Sequence, residues 1–456
     1  MSDPLLEALR ILPRLFALTA KGLSPISIRD QMVRAQMLVT RALEQGEITR
    51  ADKVLVVGAG AAGAVAAMTS ASCGLETVII DRKSQPFLRQ AGCATRWIDP
   101  MQYDWAADHW SPGKRYPLYS LVPLPWDADL SFRIAARWRR AFFRALSSRL
   151  RFYPRTRVTA IVPVGGPPPS ELEVHFQSPN LATSSFQLVI WAAGFGEEIC
   201  SIRDERHGTG TVQHTGPAFW SSDSLEKRGC GSSVSNPKVA ILGAGDGGVQ
   251  DLLRALTKRR SAREVVDSLR IDPAIMNELH NAEERAHRHW IWAGTNGRHD
   301  HALYDRLDIY HRAAAAEALT SAVLRDDLRT LLELDTESLE DVRLFHRCSH
   351  LMCLYGLNRF LAYLLDQFFR EELGKNLLVP NRTVVGVDTT LVPHVLDTVD
   401  HPICYDRVDT TLPSKRDTAH VIIVRYGLDV SSAALTLPTG VNMQRRRHSI
   451  PVVPVP

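Results

Sequence analysis

The chain has 456 residues, of which 45% are hydrophobic and 23% charged, and its formal net charge is +4. This composition excludes a disordered or collagen-like chain and predicts a globular protein of two or three domains. So small a net charge on so long a chain is no argument for nucleic acid, and no apolar run reaches the ~18 residues that span a bilayer. The N-terminus lacks the basic, then apolar, then small-residue layout of a secretory leader. The seven cysteines (Cys73, Cys93, Cys200, Cys230, Cys348, Cys353 and Cys404) are scattered, with no CxxC. That predicts reduced thiols in a cytoplasmic protein rather than a disulfide framework or a zinc site.

Residues 1–50 read as helical, with an apolar stripe in IRDQMVRAQMLVTRALEQG, and are expected to pack beside the unit that follows. That unit opens with VLVVGAGAAGAVAAMTSASCGLETVIIDR, from Val54 to Arg82. The pattern is strand, tight turn, helix, strand. Gly58 permits the sharp turn, and Gly60 puts no side chain between backbone and a pyrophosphate. Gly63, with Ala62, Ala64, Ala66 and Ala67, lets the helix approach the sheet. Phosphates would sit over Gly60, Ala61 and Ala62, where free N–H groups and the helix dipole favour negative charge. Asp81, 81 − 58 = 23 positions after the first glycine, suits a carboxylate that accepts from a ribose hydroxyl, with Arg82 beside it. It would repel a 2′-phosphate, so FAD or NAD fits here better than NADP.

Residues 83–130 are rich in Pro, Trp and Tyr and have no clear period. An irregular stretch this long inside a globular chain is usually functional or wraps a ligand. It holds Cys93 and the segment WIDPMQYDWAADHW, with Asp99, Tyr103, Asp104, Asp108 and His109. These side chains could orient a substrate or move protons; equally, the tryptophans could be the core of the loop. RIAARWRRAFFRALSSRLR (Arg133 to Arg151) places apolar residues at helical spacing between arginines. It predicts an amphipathic surface helix, with a docking face for an anionic partner or a membrane as the alternative. Strands are expected at RVTAIVPV and LEVHF. FQLVIWAAGFG (Phe186 to Gly196) is an apolar run stopped by a small turn at Ala193 and Gly194.

NPKVAILGAGDGGVQDLLRALTK, from Asn236 to Lys258, repeats the opening device. Its strand is Val239 to Leu242, its glycines are Gly243, Gly245, Gly247 and Gly248, and Asp246 is placed to cap the new helix. EVVDSL (Glu264 to Leu269) is expected as the next strand. From about 270 to 375 the chain reads as almost wholly helical. In this block Glu284 and His287 have the i, i+3 spacing of carboxylate-bridged metal sites, without a second such pair; His289, His299 and His301 could line a pocket, and a polar helix-turn-helix tip is the other reading. Strand-like segments return in NRTVVGVDTT and AHVIIVRYGL, and QRRRHSIPVVPVP has the composition of a loose tail.

Two glycine cradles in one chain are more specific than one. With their order of segments, the sequence resembles the two-dinucleotide-binding-domain flavoproteins, the superfamily of flavin-containing and N-hydroxylating monooxygenases, thioredoxin reductases and NADH oxidases. VVGAGAAG (Val56 to Gly63) resembles the FAD motif, with Asp81 as ribose acid. FQLVIWAAGFG resembles the first ATG-type linker motif, ILGAGDGG (Ile241 to Gly248) the NAD(P) motif, and AHVIIVRYGL the second ATG-type motif. There Arg425 and Tyr426 replace small residues. The C-terminal Gly-Asp segment and the FxGxxxH monooxygenase fingerprint are not evident. The resemblance implies an α/β fold of two Rossmann-like domains with a large helical insertion: a helical segment at 1–50, an FAD domain at 51–235, an NAD(P) domain at 236–270 plus 376–430, an insertion or substrate module at 271–375, and a tail at 431–456. TKRRSAR after the second cradle sets Lys258, Arg259, Arg260 and Arg263 where a 2′-phosphate clamp is expected, which tilts the choice between NADP and NAD toward NADP; a solvated helix end is the plain alternative.

The resemblance further implies FAD and NAD(P)H as cofactors and an oxidoreductase, monooxygenase-like, acting on a small molecule, with no nucleic acid partner and no membrane span. Oligomeric state is left open. Candidate catalytic residues are Cys93, Tyr103, Asp104 and His109. Cys93 follows Asp81 by 93 − 81 = 12 positions, near where disulfide reductases and NADH oxidases of the family carry a redox cysteine. A single-cysteine oxidase or disulfide reductase is thus one rival reading, and a small residue packed in a tight loop is the plain one. A non-catalytic nucleotide sensor on the same scaffold is a second rival.

Overall fold

The computed structural model describes residues 3–18, 27–105, 110, 121–166, 168–293, 301–334, 341–351, 354–400 and 412–429, apart from the side chains of 287–293 and 301–303. His109, the side chains of His287, His289 and His301, His299 and the tail from residue 430 lie outside the described residues.

The first cradle stands in a six-stranded sheet of order Arg10–Leu12, Leu15–Ala17, Leu188–Trp191, Lys53–Val57, Glu76–Ile80 and Leu150–Tyr153. All neighbours are parallel except the first pair. Both faces are covered, so these strands are continuously apolar, and the two-residue period decides which side chain faces which layer. Val54, Val56 and Ile79 pack against the helices Ile28–Glu44, Ala61–Ser72 and Ser131–Ala145. Leu55, Val57, Val78 and Ile80 pack on the other side against an antiparallel layer formed by Arg157–Val164, Glu171–Gln177 and Ser184–Phe186.

The second unit repeats this construction. Its parallel sheet has the order Leu378–Val379, Asp341–Phe345, Lys238–Leu242, Val421–Val424. Helices Asp246–Thr257 and Gly356–Leu373 cover one face. Arg382–Asp388, His394–Asp400 and Ser414–Ala419 form the antiparallel layer on the other. The helices Pro273–Ala293, His301–Ala318 and Ala322–Leu331 are inserted between the cradle helix and the strand that returns beside the cradle strand.

Four expectations need correction. The N-terminal segment is not only helical, because Arg10–Leu12 and Leu15–Ala17 extend the first sheet. EVVDSL is not a strand. Ala262–Asp267 is a helix, started by Ser261, whose side chain accepts from the Glu264 N–H at 3.1 Å. The block from 270 to 375 is interrupted by the strand Asp341–Phe345, a short apolar run that periodicity alone does not separate from helix. The thiols are not all free either: Cys348 is disulfide-bonded, and Cys73, Cys93, Cys200 and Cys230 are free.

Candidate functional site

Both glycine turns have the same geometry, and steric contacts explain each glycine. Gly58 and Gly243 have φ of +106° and +109°. A Cβ on Gly58 would stand 2.4 Å from the Ala192 carbonyl oxygen, and one on Gly243 would stand 2.2 Å from that of Arg425. The third glycines, Gly63 and Gly248, each press their helix so close to the turn that a Cβ would meet the Gly58 or Gly243 oxygen at 1.8 Å. The middle glycines differ: at Gly60 and Gly245 a Cβ would have no atom within 4 Å. These two positions need no glycine for internal packing. A glycine there leaves an open approach to a helix N-terminus, and neither N-cap glycine supplies a side-chain cap.

The turns are backed in matching ways. Ala192 N–H donates to Val57 O at 2.8 Å, and Arg425 N–H to Leu242 O at 2.7 Å, so the two ATG-type segments are structural equivalents. Ala193 and Gly194 follow the first of these strands, and Gly194 has φ of +98°. Asp81 ends the second strand of the first cradle. Its carboxylate accepts from the N–H of Ala59 at 2.6 Å and of Lys83 at 2.7 Å, which fixes its direction. Lone pairs remain for a ribose hydroxyl. Arg82 reaches outward to Glu197 at 3.7 Å. The cradles differ in cover: Gly58, Ala59, Ala61 and Ala62 are buried, whereas Gly245 is exposed.

Arg425, the large residue in the second linker motif, does not reach for a ligand. Its Nε donates to Asp251 at 2.8 Å and its Nη1 to Pro217 O at 2.7 Å. Asp251 is wholly buried and also receives Arg96 and Arg254. Burial opposes its charge, but Arg96 and Arg425 more than offset that and hold the carboxyl well below the usual carboxylate range. Arg96 belongs to the loop after the first cradle and Asp251 to the helix of the second, so the cluster joins the two units.

A second junction lies at the cradle mouths. The helix Ile28–Glu44 runs back from the cradle end of the first sheet, with Ser27 and Asp30 in a capping box at its start. Asp30 accepts from the Tyr355 hydroxyl at 2.6 Å. The Tyr355 N–H donates to Asp246 Oδ1 at 3.0 Å, and Asn358 Nδ2 donates to the same oxygen at 2.7 Å. Asp246 therefore does not cap its helix; Gly245 is the N-cap, and the carboxylate of Asp246 ties the second cradle to Tyr355. Burial pushes the Asp246 carboxyl up to about 6, against the hydrogen bonds from Asn358 and Tyr355. The Tyr103 ring packs against that of Tyr355 at a tilt, with centroids 4.9 Å apart, and Asp104 accepts from Arg29 at 2.6 Å. Burial pushes both phenols well above their usual range, so they remain hydrogen-bond donors at neutral pH.

Of the candidate catalytic residues, the structure brings Tyr103 and Asp104 to this junction. Cys93 is elsewhere in character: it is 0% exposed, and its thiol donates to the Ser221 carbonyl at 3.4 Å. Arg259 and Arg260 stand past the far end of the 12-residue helix Asp246–Thr257, ~18 Å along from the glycines. The cause is the insertion. The strand that returns beside the cradle is Asp341–Phe345, in register Leu242↔Phe345, as Val57↔Ile80 is in the first unit. His346 and Arg347 therefore occupy the positions of Asp81 and Arg82. Ser27, Arg29, Asp30, Arg96, Asp251, Tyr355 and Asn358 were not foreseen as site residues, since nothing local in their segments signals the partner they meet. Among the described residues no group of three or more His, Cys, Asp or Glu is placed to hold a metal ion.

Residues 53–110 match the family model described as the FAD binding domain. The first cradle is thus an FAD-binding one. The second cradle repeats the construction of the first, so the described fold is α/β with two Rossmann-like units. Solved structures similar to the chain include thioredoxin reductase from T. acidophilum, 12% identical over 83% of this chain and 78% of that one, with a TM-score of 0.37. Bacillithiol disulfide reductase Bdr from Bacillus cereus is 11% identical over 86% and 83%, with a TM-score of 0.41. The ornithine N-hydroxylase of Kutzneria sp. 744 is 15% identical over 86% and 84%, with a TM-score of 0.37. Likeness at this level says nothing of substrate. No curated protein sequence matches the chain. Among the described residues no helix is long and apolar enough to cross a membrane.

Proposed function

We propose that the chain is an FAD-dependent oxidoreductase that uses NADPH, or less well NADH, and acts on a small molecule in the manner of a monooxygenase. The observation that carries this reading is the pair of open positions at Gly60 and Gly245 in two otherwise closely packed turns. When bound, the flavin would accept a hydride from the nicotinamide and pass electrons to oxygen or another acceptor. The chain's own part is holding and orienting. N–H groups at the start of Ala61–Ser72 would hold the FAD pyrophosphate, and Asp81 would fix its ribose. The start of Asp246–Thr257 would hold the second dinucleotide. The buried turn of the first cradle suits a resident cofactor, and the exposed Gly245 suits one that comes and goes. Burial lowers His346 to about 4, so its imidazole is neutral at the strand end where a 2′-phosphate would lie, and Arg347 follows it there. Tyr103, as a protonated phenol between the cradles, would donate a hydrogen bond to a bound group, while the Tyr355 hydroxyl is held by Asp30 and its ring helps exclude water.

The test is the visible absorption of the purified protein, followed without oxygen as NADPH and then NADH is added. Flavin bands that bleach, faster with NADPH, support the reading. A protein that stays colourless after incubation with FAD refutes it and favours a nucleotide sensor. The single-cysteine reading is disfavoured because a redox thiol must meet its partner, and Cys93 is enclosed.

A further inference from the structure

The helix Ser131–Ala145 buries Ile134, Ala135, Trp138 and Phe142 in the core of the first unit. Its other face is unusual. Phe132 and Phe143 are 37% and 44% exposed. They are eleven residues apart, so they lie ~16 Å from each other along the axis and within ~20° around it. They form one edge of a stripe. Arg133, Arg137, Arg140 and Arg144, all exposed, form the other edge, ~80–140° around from Phe132. Leu88, 37% exposed, lies on the short helix Leu88–Ala91 that packs alongside.

Charge on this face is one-sided. From residue 130 to residue 151 the chain has seven arginines and no acidic residue. Asp129 lies just before the helix and reaches Arg137 at 2.7 Å and Arg133 at 3.6 Å. Arg140 and Arg144 have no ion pair among the described residues. An isolated exposed phenylalanine needs no explanation. Two on one line, flanked by four arginines that face a single carboxylate, have the layout of a helix lying in a membrane interface, with apolar rings inserted and cations among lipid phosphates. A soluble acidic protein or polyanion would use the arginines and leave the rings without a role.

We propose that this face docks the protein on an anionic lipid bilayer surface, with the helix lying parallel to the membrane plane. The rings supply insertion, and the arginines supply selection for anionic lipid. The inference rests on the exposed side chains of this helix and on none of the cradle residues, so it stands whether or not the enzymatic reading does.

The test is co-sedimentation of the full chain with vesicles of phosphatidylcholine alone or with about a third phosphatidylserine, at ~0.1 M salt and again at ~0.5 M. Binding is expected only to the anionic vesicles and is lost at high salt. Neutralising the arginines by R140Q and R144Q should weaken it roughly fivefold for each. F132S with F143S should weaken vesicle binding by tenfold or more while elution from a heparin column stays unchanged. Far-UV circular dichroism and melting checks that both variants fold, and the exposed positions make that the expectation. Equal binding to neutral vesicles, no binding to anionic ones, or vesicle binding unchanged by the phenylalanine pair overturns the proposal; the last outcome would assign the face to a soluble polyanion.

Discussion

Asp246→Asn separates the charge of Asp246 from its hydrogen bonds. Both donors, the Tyr355 N–H and the Asn358 side-chain amide, meet Oδ1, so an asparagine oxygen can accept both. What the substitution removes is a half-buried carboxylate whose pKa rises from 3.8 to about 6 on folding. A carboxyl raised in this way binds its proton more tightly in the folded state. Its favourable contribution is therefore complete below the unfolded pKa and is lost as pH rises through about 6. At ~1.4 kcal/mol for each tenfold change in proton affinity, the cost of the charged form at neutral pH is ~3 kcal/mol at most. The variant should accordingly match the wild type near pH 4 and gain on it up to pH 7, by as much as ~3 kcal/mol. Denaturant unfolding of both proteins without nicotinamide, at half-unit steps from pH 4 to 7.5, measures the difference, and other titrating groups cancel in it. An asparagine variant less stable than wild type at pH 7.5, or a difference that does not change with pH, refutes the reasoning.

The middle glycines give a paired prediction. Gly60→Val should leave a folded protein whose bound flavin, read from the ratio of visible to protein absorbance, falls at least tenfold. Gly245→Val should keep the flavin and lose its bleaching by NADPH. A Cβ at either position meets no atom within 4 Å, so unfolding of either variant would contradict the packing described. Asp251→Asn leaves Arg96, Arg254 and Arg425 buried with too little negative charge. It should lower unfolding stability by ~3–5 kcal/mol in denaturant titrations, the usual cost of removing one partner from a buried ionic cluster. Cys93→Ala should leave NADPH-driven turnover within about twofold of wild type; loss of turnover with retained flavin would revive the single-cysteine reading.

Much of the fold was legible because its signals are local. The glycine spacing marks both turns, and the acid at Asp81 falls where the returning strand ends. The short apolar runs around Val54 and Val239 could be read because each strand is buried on both faces. What failed is what depends on distant partners. The clamp expected at Arg259 and Arg260 assumed that the next strand follows the cradle helix at once, and the intervening helices displace it to Asp341–Phe345. Arg425 stood out only as a large residue in place of a small one, because its partner, Asp251, lies 174 residues away in sequence. Asp30 and Tyr355 meet across 325 residues, and neither sits in a motif.

The same insertion sets the order in which the two halves can take shape. In the first unit the chain need travel only 76 − 57 = 19 positions from the end of the cradle strand to the start of its parallel neighbour. In the second it must travel 341 − 242 = 99. Closing so long a loop before any pairing offsets its entropy slows the step. During synthesis the strand Lys238–Leu242 emerges long before Asp341–Phe345 exists to pair with it, and Val421–Val424 comes later still. The FAD-binding half therefore has its core strands available first, and the second half assembles late, against a partner already in place.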